Sequence, residues 1–266
     1  MLLKNKKKNK KPRLLNRWLD VLVLLSWGIL LLKYIITNQI QLLIHPNYNG
    51  LVLVTGLILL LFAVVKGLQI LRSNSDRDSN SEHITLFSPR FSSFLLLIVA
   101  ISGLLIPPNV LSSQAALQRG VTDTLPLTRF QPQSFRTSTK PEERSLLDWV
   151  RTLNAYPEPD AYTGQQANVK GFIIHLPDFP ENYILLARFV VTCCAVDAYP
   201  VGIPVQIEKN RANYPQDKWL VVQGTMETAT LPAIDKNNET ETEKRQLVLV
   251  AKSIEEIPTP SDPYDY

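Results

Sequence analysis

Both cysteines of the chain are adjacent, in the stretch RFVVTCCAVDAYPVG (residues 188–202). A vicinal pair of thiols supports four chemistries. It can close a vicinal disulfide, whose tight ring distorts the backbone and can act as a redox switch. It can bind a soft or borderline ion such as zinc or copper(I) as thiolates, with Asp197 and His175 as further ligands beside Cys193 and Cys194. One cysteine can be buried as a small hydrophobe with the other incidental. It can also supply a nucleophile, for which the base would be His175 or His45 brought down from the outer loop, His83 being on the inner loop. Successive strand residues face opposite sides of a sheet, so both thiols reach one ligand only if the chain bends. A bulge at the strand end, where VDAYP follows, would supply the bend. Asp197 ahead of Ala-Tyr-Pro equally fits a simple turn cap. Arg188 fits a partner for Asp197 or for another acid inside a barrel, and equally a solvent-facing strand residue. A thioredoxin-type redox centre is disfavoured, because its C-x-x-C spacing and βαβ pattern are absent.

Which of these chemistries applies depends on the compartment, since thiols outside the cytoplasm tend to oxidise. The charge distribution addresses this. Residues 1–106 hold 13 Lys/Arg against four Asp/Glu, whereas residues 107–266 hold 15 against 20. The net charge of +4 therefore averages a basic, apolar first part and a mildly acidic second part. Three apolar runs lie in the first: residues 18–36, 50–71 and, shorter, 91–107. Their length and lack of alternating polar positions predict three transmembrane helices. Asp20, Lys33 and Lys66 sit near span ends, where long side chains reach the headgroups. No ionisable residue occupies mid-span, which argues against a self-sufficient pump or channel. The basic tail KNKKKNKKPR (residues 4–13) places the N-terminus in the cytoplasm. The uncharged loop TNQIQLLIHPNY then faces out, and the Arg-bearing loop after the second span returns inside. With three spans, everything after Pro107 is extracytoplasmic.

The second part opens with a Gln/Ser/Thr/Pro-rich stretch, residues 108–137, expected as a flexible linker. Residues 138–154 (STKPEERSLLDWVRTLN) predict one helix, with Thr139 and Glu142 at capping-box spacing and Leu146, Leu147, Val150 and Leu153 on its apolar face. Five strand-like stretches follow, residues 165–176, 183–193, 201–208, 218–228 and 245–257, bounded by turn residues. Gly171 and Gly224 sit where strands would bend. The fold class expected is α+β: a three-span membrane domain (18–107) after a basic tail (1–17), then a small extracytoplasmic OB-like five-stranded barrel with one preceding helix (138–258), and a C-terminal tail (259–266). OB barrels often bind nucleic acid, but a basic, aromatic-interleaved patch is missing and the compartment is wrong, so no nucleic-acid partner is expected.

The string CC-x-x-D-A-x-P-x-G, with Arg188, Phe189, Cys193, Cys194, Asp197, Ala198, Pro200 and Gly202, together with YTGQQANVKGFI, WLVVQGTME and the three apolar runs, resembles the YcgQ-like family of bacterial membrane proteins. The resemblance covers about nine tenths of the chain. It implies a non-enzymatic, multi-pass cell-membrane subunit that works beside a multi-spanning permease partner. Within that implication the extracytoplasmic domain would bind or sense a solute, such as a zinc or copper ion, through the Cys193–Cys194 segment. The rival readings are a membrane-tethered thiol redox protein and a structural envelope domain.

Overall fold

The computed structural model describes residues 11–72, 89–122, 140–234 and 243–266. The chain divides into two compact units, Met1–Asn109 and Val110–Tyr266. Residues 1–10 of the basic tail, the polar loop bearing His83, the second half of the expected linker and most of the loop 235–244 lie outside the described residues.

In the first unit the three apolar runs form α1 (Lys11–Ile36), α2 (Asn49–Arg72) and α3 (Pro89–Leu105). His45 and Pro46 start the turn into α2: the His45 side chain accepts the Asn47 N–H at 3.1 Å. Glycines let α1 and α2 approach closely. A Cβ at Gly28 would lie 2.7 Å from the Leu60 side chain and 3.1 Å from the Gly56 carbonyl oxygen. Polar groups then fix which helix ends meet. Lys66 Nζ donates to Asp20 Oδ2 at 2.7 Å, and Ser93 Oγ to Asp20 Oδ1 at 2.9 Å. At the other end Tyr34 OH donates to the Gly103 carbonyl and Lys33 Nζ to that of Leu104, both at 2.7 Å. Thus α3 runs parallel to α1, and α2 runs opposite to both.

The outward faces of these helices are apolar: Leu57, Leu61, Phe62, Phe94 and Ile98 are exposed. Only 11% of the apolar α2 window is buried, the reverse of a core helix in a soluble protein. By length and composition α1 and α2 can cross a membrane. Helix α3, at 17 residues, is shorter than the roughly 20 that a bilayer core requires. Two of the three expected spans therefore meet the length criterion.

The second unit begins earlier than its sequence suggests. Residues 110–122, expected within the linker, form α4 (Ser113–Arg119), capped by the Ser112 hydroxyl and ended by Gly120 at φ 79°. Ala116 and Val121 are buried, and Thr122 bridges to Val201. The expected helix is also displaced. Residues Pro141–Glu143 make a 3₁₀ turn, and α5 spans Leu146–Ala155. The capping box observed is Ser145 with Asp148, and the expected Thr139 lies outside the described residues. Burial begins at the residue after Ser145: Leu146, Leu147, Trp149 and Val150 are all within the core.

The five expected strands are present with shifted ends: β1 (Gln166–Ile174), β2 (Tyr183–Val190), β3 (Tyr199–Gln206), β4 (Trp219–Pro232) and β5 (Glu243–Ile257). A sixth, β6 (Tyr264–Asp265), pairs parallel with β2 inside what was expected to be a tail. Two residues are too few to show alternation. The sheet order is β1-β4-β5-β3-β2-β6, and β1 also pairs with β2. The first part of β1 pairs with β4 and its last three residues with β2, so the pairings of β1–β5 run in a closed cycle.

Gly171 sits at the changeover. A Cβ there would lie 2.6 Å from the Ala187 carbonyl oxygen. A Cβ at Gly224 would collide with the Val250 carbonyl, at the bulge between Gln223 and Gly224. Only glycine accommodates these approaches. Gly171→Ala and Gly224→Ala are each expected to lower stability by about 1–3 kcal/mol, the usual cost of overpacking. Urea unfolding followed by tryptophan fluorescence checks this; unchanged midpoints would show that neither approach is tight.

Candidate functional site

Strands β2 and β3 pair without interruption from Tyr183↔Gln206 to Val190↔Tyr199. The connecting residues 191–198 therefore project as a turn from one end of the sheet. Its feet, Val191 and Ala198, are buried, while Val196 at its tip is 87% exposed. Both cysteines lie on this turn rather than in a strand, because β2 ends at Val190. The bend needed to bring the thiols together is thus a turn, not the expected bulge. Cys193 is exposed, Cys194 is half-buried, and both are free thiols with Sγ atoms 3.6 Å apart. Packing as buried hydrophobes does not describe either.

Asp197 organises the turn. Its Oδ2 accepts the Cys193 N–H at 3.0 Å and also the Thr192 hydroxyl, and its Oδ1 accepts the Cys194 N–H at 2.9 Å. The Asp197 N–H in turn donates to the Cys194 carbonyl at 3.1 Å. Partial burial raises the Asp197 pKa, but the bonds from Thr192 and from the Cys194 and Cys193 amides outweigh it and hold the carboxyl below its ordinary value. The carboxylate is therefore the ordinary form, and Asp197 folds the turn so that its own side chain and both thiols converge. Ligand atoms of Cys193, Cys194 and Asp197 all lie within 4.8 Å of one another.

His175 does not join them. Its Nε2 is bonded to the Tyr214 carbonyl at 2.8 Å, which engages the ring in the packing beyond β1. Arg188 does not meet Asp197 either. It is buried in β2, with Nε 3.1 Å from Asp265 Oδ1, close enough for an ion pair although not aligned as a hydrogen bond. Its Nη2 donates to the carbonyls of Asp262 and Tyr264, and its guanidinium lies 5.5 Å from the centroid of the Trp219 ring. Arg188 thus fastens β6 to β2, and Val191 just beyond donates its N–H to the Asp265 carbonyl at 2.9 Å.

One residue that sequence reasoning passed over clamps the turn from outside. Arg119, the last residue of α4, donates through Nη1 to the carbonyls of Ala195 at 3.0 Å and Ala198 at 2.6 Å. A signal for its helix was present: Ser112 as N-cap and Gly120 just past the end bracket an uninterrupted helical run.

These features define an α+β protein in which apolar helices precede a β-rich unit with a vicinal-thiol turn. The chain belongs to the DUF1980 family: residues 19–122 match the DUF1980 N-terminal domain and residues 137–266 the DUF1980 C-terminal domain. Among curated proteins, none matches the chain.

Two outcomes follow from this geometry. The hydrogen bond to Cys194, then desolvation, then Asp197 push the Cys193 thiol up to about 11. Set against an ordinary thiol near 9.0, this leaves roughly 100-fold less thiolate at pH 8, partly offset by the higher nucleophilicity of the more basic sulfur. Iodoacetamide should therefore label Cys193 about tenfold more slowly than a free thiol, despite its exposure. Asp197→Asn should speed labelling; peptide mass spectrometry reads both rates, and labelling at the free-thiol rate would contradict the arrangement. Separately, Arg188→Met strands the Asp265 carboxylate and is expected to cost about 3–5 kcal/mol in urea unfolding. Asp265→Asn should cost less, because burial, only partly countered by Arg188, already raises the Asp265 pKa and disfavours its charge.

Proposed function

We propose that this protein is a non-enzymatic accessory subunit of a membrane permease. Three helices, α1, α2 and α3, anchor it, with the N-terminus in the cytoplasm and the second unit outside. That second unit is an OB-like barrel, in keeping with the closed pairing cycle of β1–β5 and the parallel pairing of β3 with β5. It binds or senses a solute, a zinc or copper ion, at the turn between β2 and β3. The observation that carries the reading is the convergence of Cys193, Cys194 and Asp197 at an exposed turn, in a chain whose preceding helices turn apolar faces outward. The resemblance to the YcgQ-like family supplies the permease partner. The thiol redox alternative is less well supported, because the C-x-x-C spacing and βαβ pattern of thioredoxin-type centres are absent.

The full chain, purified in mild detergent, tests this directly. A co-purifying multi-spanning partner and about one zinc or copper ion per chain, lost in Cys193→Ser/Cys194→Ser, are the expected results of mass spectrometry and elemental analysis. Absence of a partner removes the permease role. Absence of metal with both thiols titratable removes the metal cargo.

A further inference from the structure

We propose that Cys193, Cys194 and Asp197 form an open three-ligand site for a divalent cation of the zinc type, with an exchangeable fourth position. This rests on the reading of the thiol turn as a metal site and specifies the ion class and coordination.

The argument begins with the sulfur separation. Metal–sulfur bonds of about 2.3 Å at the tetrahedral angle put two sulfurs about 3.8 Å apart, whereas a linear two-coordinate arrangement, the habit of copper(I), would need about 4.5 Å. The observed 3.6 Å matches the tetrahedral edge. The bonds to Asp197 fix the backbone of both cysteines, from which the two sulfurs start at that separation.

The third ligand follows from the acceptor capacity of Asp197. An ionised carboxylate offers about four lone-pair directions. Three are taken by the Thr192 hydroxyl and by the Cys193 and Cys194 amides. The ligand atoms of Cys193, Cys194 and Asp197 lie within 4.8 Å of one another, so the remaining direction is available to an ion that both sulfurs bind. The amides hold the carboxylate in place, as outer-shell donors do for metal-bound carboxylates.

The fourth position is open for two reasons. Among the described residues no further His, Cys, Asp or Glu belongs to the cluster. Exposed Cys193 and the exposed tip at Val196 leave one side of it to solvent. Structural zinc sites close with four protein ligands, whereas three protein ligands with water in the fourth place mark sites that exchange or act on a ligand. An ion so held can accept a donor from another protein before it leaves the first, which suits delivery rather than storage.

Cobalt(II), a spectroscopic stand-in for zinc, tests the proposal on the full chain in detergent. One Co2+ per chain is expected, with thiolate charge-transfer absorption and the intense d–d bands of a tetrahedral site. Imidazole should shift those bands by entering the fourth position, and excess zinc should bleach them. Asp197→Asn should weaken cobalt binding by at least tenfold. Because Asp197 also folds the turn, the imidazole response of the unaltered chain is the independent readout. Tetrahedral bands that ignore imidazole would overturn the open position. Unchanged affinity in Asp197→Asn would overturn the third ligand. Copper(I) binding without cobalt binding would overturn the ion class while leaving the metal reading intact. Failure to bind either ion would remove that reading altogether, and this proposal with it.

Discussion

The second unit depends on one close approach, that of the β1 backbone to β2 at Gly171. Strand β1 is long enough to pair with β4 through one part and with β2 through the other, but only if nothing occupies the space where it changes partner. The missing Cβ leaves that space, with the Ala187 carbonyl 2.6 Å from where it would be. Once β1 reaches β2, the pairings form a cycle and the register of β2 against β3 is set. The thiol turn inherits its position from that register. Had β2 continued two or three residues further, Cys193 and Cys194 would face opposite sides of the sheet and could not share a ligand.

Charge pairing recurs as a fastening device. In the first unit Asp20 receives Lys66 from α2 and Ser93 from α3, so a single carboxylate touches all three helices. In the second, Arg188 occupies the interior of β2 and is satisfied by Asp265 and two carbonyls of the C-terminal segment. A buried ion pair adds little net stability when compared with apolar packing, but removal of one partner is costly. The effect is specificity: the last residues of the chain have one place to go. Tyr264 reinforces this, since its hydroxyl accepts the Leu111 N–H at 3.0 Å while its ring is buried against Phe189. The two ends of the second unit are thereby joined.

The thiol turn is held from both sides, by an acceptor within and a donor outside. Asp197 gathers the amides within it, and Arg119 gathers the carbonyls at its outer margin. A peptide loop this exposed would ordinarily solvate those groups with water. Protein partners in their place keep the sulfurs and the carboxylate within 4.8 Å of each other.

Much of this organisation was legible in the sequence. Apolar runs free of polar alternation specify α1 and α2, and the α+β order follows from helical, then alternating, periodicity. The five principal strands, the bends at Gly171 and Gly224, and the thiol pair as the chemically distinctive feature were read from residue type and spacing alone. These are local properties, set by period and by the φ/ψ and volume of individual residues. Four other features depended on contacts between residues far apart in the chain, which periodicity does not encode. The helix bearing Arg119 has local end signals in Ser112 and Gly120, but its hold on the thiol turn exists because it packs on a sheet whose strands come long after it. Strand β6 exists because a buried arginine needs an acid. The capping box observed is at Ser145, next to Leu146, where the core begins. His175 leaves the thiol site because the end of β1 carries it to Tyr214, whereas Asp197 stays because the turn it closes is its own.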